Sequence, residues 1–442
     1  MRNRTLAAGL IFAFSALNAC ILSTAQAAGL PPGKNVLLWI SIDGCRGDYV
    51  NRGQTPFLKS MMQHGDYTQH LVPIFPSLTF PSHTSEATGV AAGAHGIVSN
   101  KFFDTAIGKD YNMPNDPSLV QAEPIWETAA RQGVRSEVWD WPLSQDETKL
   151  PAGTSRASVF DPSGTFDADE TDADRLEKLV DAYRKDFENP DNKEPLRLLM
   201  GYAYAIDHAG HGSGPESEKT TQAAHEVDQL VEKTVGEVAE IFKQHMHPDQ
   251  GDALYVLITT DHGMDTIKTL VNLKWLMGRT DVPQPDPVRA DWSGSIANIY
   301  LNDVPGADRD ATKKAILENL SKATYLKCWA REDLPQEFAY ANPTRTGDIV
   351  VSLDPGYYFT KNDVAGPVPA ESEPRALKGM HGYDPATDDK MQGFMVLERY
   401  GSDQPGHDLG KIDTLRIHPT VAKLLGIEPA SGAKEPPLEP IP

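Results

Sequence analysis

Cysteine is what this chain has least of: three in 442 residues, Cys20, Cys45 and Cys328. Three scattered thiols make no disulfide framework, no Cys-rich zinc site and no thiol redox motif. Any metal site must therefore be built from Asp, His and hydroxyl groups. Cations are the second shortage, with 41 Lys and Arg against 62 Asp and Glu and a formal charge of −21. Such an acidic surface argues against non-specific binding to nucleic acid or anionic membranes, so no stable nucleic-acid complex is expected. It does not exclude a phosphate substrate, because bound divalent cations reverse the local field. Apolar runs long enough to cross a membrane are missing beyond the N-terminus, so no transmembrane segment is expected in the mature chain.

Residues 1–27 read as an export signal: Arg2 and Arg4, an apolar run over Leu6–Leu17, then Ala25-Gln26-Ala27 as a cleavage site. Their removal would leave a charge of −23. A second reading takes Leu17-Asn18-Ala19-Cys20 as a lipobox, with a lipoprotein signal over 1–19 and a lipid anchor on Cys20. Either way the expected destination is outside the cytoplasm, in a periplasm or secreted. Residues 28–429 are expected to form the catalytic domain, with 430–442 a loose Pro-rich tail.

What is abundant is alternation. Asn35–Ile42 (NVLLWISI) is a continuous apolar run that predicts a central parallel strand, ending at Asp43-Gly44. Thr55-Pro56 opens a helix with Thr as N-cap and Pro at the first position. Three prolines in Pro73–His83 predict an irregular segment, with a helix starting only after Pro81 and Thr79 just before it. A helix over 123–133, a strand over 136–141, an amphipathic helix over 175–187 and an apolar strand over 196–206 follow. A long helix over 218–247 leads to the run Val256–Thr260, which ends abruptly in Asp261-His262-Gly263. Residues 265–375 read as an insertion containing a substrate-facing cap, with strands over 296–301 and 348–353 and a helix over 310–320. Gly379–Tyr383, a strand over 393–397 and a helix over 420–425 complete the chain. The pattern predicts an α/β sandwich with a largely parallel central sheet and helices on both faces.

Open α/β sheets place their ligands at the carboxyl ends of strands. Collected at those ends are Asp43, Asp207 with His211, Asp261 with His262, and His381 in a glycine turn. Each has a plain structural reading alone: Asp43 could cap a turn, His211 could sit in a surface loop, and His381 could satisfy a carbonyl. Together they supply three carboxylates and three imidazoles, a set suited to two Zn²⁺ ions, with Mn²⁺ or Co²⁺ tolerated.

Eight segments then carry a resemblance: IDGCRGDYV, TPFLKSMMQHG, FPSLTFPSH, HGIVSNKFFD, EPIWETAARQG, IDHAGHGSGP, ITTDHGM and KGMHGYDP. In this order they resemble the nucleotide pyrophosphatase/phosphodiesterase family of the alkaline phosphatase superfamily, from about Asn35 to Pro429 and most weakly between Asn272 and Gly379. The resemblance implies an alkaline-phosphatase-like sandwich. It further implies one zinc on Asp43, Asp261, His262 and the Thr79 oxygen, and a second on Asp207, His211 and His381. Thr79 matches the family's nucleophile, and Asn100 the residue that hydrogen-bonds a non-bridging phosphoryl oxygen. Phe80 and Tyr202 match positions that line the leaving-group or nucleobase pocket. The chain departs from the family at Ser82, where Asn is usual, at Cys45, and at Gln145 after WPLS, where a pocket wall would change.

A threonine hydroxyl needs a metal or base to become a nucleophile, and two metals can clamp the attacking and leaving oxygens of an in-line displacement. Asn100 and the backbone N–H beside Thr79 are expected to stabilise the equatorial oxygens. The expected activity is zinc-dependent hydrolysis of phosphodiesters or pyrophosphates through a phospho-threonine, with a small-molecule nucleotide as substrate. The alternative keeps the mechanism and takes glycerophosphocholine or a related choline diester, with Trp139, Trp141, Phe102 and Phe103 as candidates for an aromatic cage. A phosphomonoesterase is disfavoured by the lack of a family-like arginine clamp. A metal- or phosphate-binding protein without turnover would need neither Thr79 nor Asn100. The sequence leaves the oligomeric state open.

Overall fold

The computed structural model describes residues 34–52, 54–144, 170–192, 194–279 and 286–439. The expected export signal over 1–27, Cys20 and Gln145 lie outside them. The central sheet has eight strands: β1 (Asn35–Ile42), β2 (Asp66–Val72), β3 (Arg135–Val138), β4 (Leu196–Ala203), β5 (Ala253–Thr259), β6 (Gly393–Arg399), β7 (His407–Asp408) and β8 (Lys411–Asp413). Their order is β7-β2-β6-β5-β1-β4-β3, with β8 also on β2. Only β6 runs against the rest. All eight residues of β1 are buried, as its unbroken apolar run requires of a strand covered on both faces.

The pleat of β1 sends alternate side chains to two helical layers. Val36, Leu38, Ile40 and Ile42 pack with Leu176, Leu179 and Tyr183 of α4 (Asp172–Glu188) and Val227, Val231 and Val235 of α6 (Glu218–His245). On the other face the Asn35 amide donates to the Leu424 carbonyl (2.8 Å) and Ser41 Oγ meets His83 Nε2 (2.8 Å). Those partners lie on α8 (Ile417–Leu425) and α2 (Thr79–Thr88). The helices α1 (Pro56–Met61), α3 (Ile125–Arg131), α5 (Ala205–Ser213) and α7 (Gly306–Leu320) complete the set used below. The architecture is the expected α/β sandwich of the alkaline-phosphatase type. Among the described residues no helix is long and apolar enough to cross a membrane.

Several boundaries differ from expectation for definable reasons. Helix α2 begins at Thr79, two residues before Pro81, and α8 begins at Ile417, two before Pro419. Both prolines occupy the third helical position, where the N–H has no intrahelical acceptor to lose. Strand β4 stops at Ala203 because α5 starts at Ala205, so Asp207 sits in a helix's first turn rather than at a strand end. Residues 430–439 are docked rather than loose. The Arg416 guanidinium donates to the Pro436 and Pro437 carbonyls (3.0 and 2.9 Å), Leu438 N–H donates to Thr420 Oγ1 (2.8 Å), and Leu438 is buried.

The 265–375 insertion contains a four-stranded antiparallel sheet in the order 289–293, 296–300, 349–353, 326–330, with Ile316 and Leu320 of α7 packed in its core. Its Ile296 and Val350 join Phe75, Phe80, Ile97 and Phe102 in a second cluster. The insertion thus backs the segment that carries Thr79 and Asn100.

Candidate active site

Parallel pairing of β1 with β5 sets Asp43 beside Asp261 and His262, just past the two strand ends. The next residue, Gly44, has φ +64° and would carry its Cβ 2.9 Å from the Asp207 Cα. Glycine there lets the first turn of α5 close onto the strand ends. One helical turn separates Asp207 from His211, so both project from one face of α5. His381 arrives from a turn whose Gly379-Met380 pairs antiparallel with Asp265-Thr266, directly after β5. Two groups of three result: Asp43, Asp261 and His262, and Asp207, His211 and His381, each with ligand atoms within 4.8 Å of one another. The His262 and His381 rings stack at 3.6 Å and 15°, so the groups adjoin.

The donors are arranged for cations. His211 Nδ1 lies 2.9 Å from the Gly379 carbonyl, His262 Nδ1 2.9 Å from that of Gly263, and His381 Nδ1 3.0 Å from that of Ser77. A carbonyl only accepts, so each Nδ1 carries a proton and Nε2 is the ring nitrogen that would meet a metal. Those nitrogens point at carboxylates: His262 Nε2 is 3.0 Å from Asp261 and 3.5 Å from Asp43, and His211 Nε2 is 3.2 Å from Asp207. Asp43 Oδ1, Asp207 Oδ1 and Asp261 Oδ2 are buried without a hydrogen-bond partner, a costly state for anionic oxygen that a bound cation relieves. Burial, then the charges of Asp261 and Asp207, push the Asp43 carboxyl well above its usual range, and burial does the same to Asp261. Burial also works against ionised Asp207, but His211, His381 and His262 outweigh it and hold that carboxyl low. Burial lowers His381 to about 4. For His211 burial is outweighed by Asp207, which raises it to about 9. The donor set fits two divalent ions.

Thr79 is the first residue of α2, and its Oγ1 lies 3.2 Å from His262 Nε2, at the edge of the first triad. Asn100 accepts the Phe80 N–H through Oδ1 (3.0 Å). The Phe80 N–H, which follows Thr79, is thereby committed to orienting Asn100. The amide nitrogen is what Asn100 has left to present to the cavity. All the expected ligands except the deeper Asp261 and His262 line this cavity of about 600 Å³, together with Thr79 and Asn100. Phe80, Tyr202 and Tyr204 form its walls, with His208, Pro142 and the loop Met113-Pro114-Asn115 at its rim.

Phe80 and Tyr202 both line the cavity, and the Tyr202 hydroxyl is committed to Asp43 Oδ2 (2.5 Å). Among the described residues none of those lining the cavity comes from 265–375, and the described part of the insertion packs behind the segment that carries Thr79 and Asn100. Nor do Trp139, Trp141, Phe102 or Phe103 line the cavity, and Trp141 and Phe102 are fully buried. Sequence reasoning missed the rim loop and Tyr204, which carry no motif. It also passed over His83, whose signal was its place one helical turn after Thr79. A separate surface cavity of about 740 Å³, bordered by Lys34, Glu194 and His247, holds none of these groups.

Comparison with known proteins agrees with this geometry. The mouse bis(5'-adenosyl)-triphosphatase enpp4 is 28% identical over 402 residues, covering 89% of this chain and 78% of that protein. An uncharacterized pyrophosphatase/phosphodiesterase of Schizosaccharomyces pombe is 28% identical over 394 residues, 85% of this chain and 73% of its own. Human ectonucleotide pyrophosphatase/phosphodiesterase family member 1 is 26% identical over 89% of this chain, which spans only 40% of that longer protein. The solved structure of murine ectonucleotide pyrophosphatase/phosphodiesterase 5 has the same fold, with a TM-score of 0.71 at 21% identity over 89% of this chain and 95% of that one. Residues 37–384 match the family described as type I phosphodiesterase / nucleotide pyrophosphatase. With both candidate metal-binding triads inside that span, the chain belongs to this family of the alkaline phosphatase superfamily.

Proposed function

We propose that the chain hydrolyses phosphodiester or pyrophosphate bonds of small nucleotides, with two zinc ions and a phosphorylated Thr79 as intermediate. The observation that carries this reading is the Thr79 hydroxyl 3.2 Å from His262 Nε2, beside two adjoining carboxylate–imidazole triads. Asp43, Asp261 and His262 with the Thr79 oxygen would hold one ion, and Asp207, His211 and His381 the other. Bound there, the ions supply Lewis acidity that favours the deprotonated hydroxyl and offsets negative charge at phosphorus.

Thr79 attacks phosphorus in line, forming the Oγ–P bond as the bond to the leaving oxygen breaks on the Asp207 side. The Asn100 amide donates to a non-bridging oxygen, where charge accumulates. Water then attacks phosphorus from the side the leaving group vacated, the Oγ–P bond breaks, and Thr79 is restored. Two inversions predict retained configuration at phosphorus. Phe80 and Tyr202 form the slot for a base, a reading supported by the adenosyl and nucleotide substrates in the relatives' names. The choline alternative gains nothing from the proposed aromatic cage, whose members do not line the cavity. Residues 1–27 give the proposed location, outside the cytoplasm.

The test is hydrolysis of a bis-aryl phosphate by wild type and Thr79→Ala, with and without chelator. Thr79→Ala should lose roughly 10⁴-fold or more in kcat, as expected for a covalent nucleophile. Full multiple-turnover activity in that variant would sink the mechanism. A panel of nucleotide diesters, pyrophosphates and choline diesters compared by kcat/KM then decides the substrate class.

A further inference from the structure

We propose that His83 is a positioning residue that registers the nucleophile against the first metal triad, an inference that rests on the Thr79 reading above. The ring is wholly buried. Its Nδ1 lies 2.9 Å from the Thr79 carbonyl oxygen and 3.3 Å from Asp261 Oδ2, and its Nε2 lies 2.8 Å from Ser41 Oγ. The carbonyl can only accept, so Nδ1 carries the proton and Nε2 accepts from the serine hydroxyl. Ser41 stands two residues before Asp43 on β1, on the same face. One imidazole thus joins the end of β1, the end of β5 and the first residue of α2, three segments that carry Asp43, Asp261 and Thr79.

The surroundings fix the ring's plane. Trp141 meets it edge-on at 5.1 Å and Tyr202 at 5.3 Å, and the Tyr202 hydroxyl is itself on Asp43. The Trp141 indole N–H donates to the His83 carbonyl at 3.2 Å. A histidine kept only as buried filling would need two hydrogen bonds and no particular partners. Here the Nδ1–H is spent on the peptide of the nucleophile and lies beside a metal-ligating carboxylate. A displacement of Thr79 by about 1 Å is enough to cost on the order of 10²-fold in rate.

Asparagine and glutamine separate the two ends of the ring. Asn places an amide nitrogen where Nδ1 stands, whereas Gln reaches the Nε2 position and leaves the Thr79 carbonyl without this donor. His83→Gln should lose roughly 10²-fold in kcat and in the rate of acid-quenched phosphoenzyme formation from labelled substrate. Its KM should change by less than about threefold, with unchanged bound metal. His83→Asn should rescue kcat to within about fivefold of wild type. Equal losses in the two variants, losses that follow Tm or metal content, or full activity in both would overturn the proposal. Should His83→Gln not fold, Ser41→Ala is read on the same axes. A fall of about fivefold in phosphoenzyme formation at unchanged metal content is then expected, and an unchanged rate overturns the proposal. Thr79→Ala is assayed alongside. If that variant is fully active, the Thr79 reading itself fails. If it is inactive while the His83 pair behave alike, only the positioning role fails.

Discussion

The two candidate metal-binding triads use the same kinds of side chain in different settings. Asp43, Asp261 and His262 are 2%, 1% and 0% exposed and follow two adjacent parallel strands. Asp207 and His211 come from a short helix with side chains 14% and 22% exposed, and His381 from a glycine turn. A rigid, water-poor setting makes the first triad preformed, at the cost of crowded carboxylates with little solvent to screen them. The second triad faces the cavity and can admit a leaving group or water. Under the proposed mechanism that difference amounts to a division of labour, in which the deep triad would fix the nucleophile and the open one would serve the group that changes.

The sharpest way to break that comparison is to delete one ligand from each side. Asp261→Ala should weaken metal binding by roughly 10²-fold or more, and His211→Ala by nearer tenfold. Metal titration of chelator-stripped protein measures both, and equal losses would erase the distinction. Asn100→Ala tests the catalytic side alone: kcat should fall by about 10²-fold, as for one lost oxyanion donor, with metal content unchanged. Tyr202 sharpens the comparison further, since it supports the deep triad and walls the cavity. Tyr202→Phe should keep the wall and lose about tenfold in first-site metal affinity. Tyr202→Ala, compared with it at equal metal occupancy, should lose a further 5- to 150-fold in kcat/KM for nucleotide diesters, roughly 1–3 kcal/mol of stacking, but not for a methyl aryl diester.

The smallest effect is a baseline outside both triads. His95 is buried with its ring on Ser85 Oγ and the Ile97 N–H, and burial lowers its pKa from 6.5 to about 3. Because the folded state holds this ring neutral, its contribution is complete above pH 6.5 and is lost as pH falls toward 3. Metal-loaded and stripped protein should therefore share a decline in Tm below pH 6.5, and His95→Gln should flatten it in both. A decline seen only in stripped protein would assign the acid limb to the triads instead.

The candidate carboxylates were readable from sequence because they sit where a strong apolar pattern stops, as at Ile42-Asp43 and Thr260-Asp261, whereas His211 and His381 stand among glycines. Asp207 was readable as a residue but not as a helical one, since the apolar run continues past Ala203 to Ile206. Pro81 and Pro419 hid two helix starts, because a proline three residues in looks like a boundary although the first turn tolerates it. Strand β2, DYTQHLV, was invisible: it lies near the sheet edge with partly exposed polar positions. The wall at Met113–Asn115 depends on tertiary contact, such as the Met113 N–H on the Asn100 carbonyl (2.7 Å). No local periodicity announces that. Composition likewise says that 265–375 is an insertion but not which way it faces.

The position of β1 in the sheet also dictates an order of events in time. Although it precedes every other strand in the chain, its hydrogen-bonding partners are residues 196–203 and 253–259, and the last ligand waits at His381. Such distant pairings must pay their loop-closure entropy before any contact rewards them, which makes assembly slow and late. During synthesis neither triad is complete until Asp261-His262 or His381 has emerged. A nascent chain that stops short of them holds only part of each group, so on the proposed reading a two-ion site would be completed late in folding rather than trigger it.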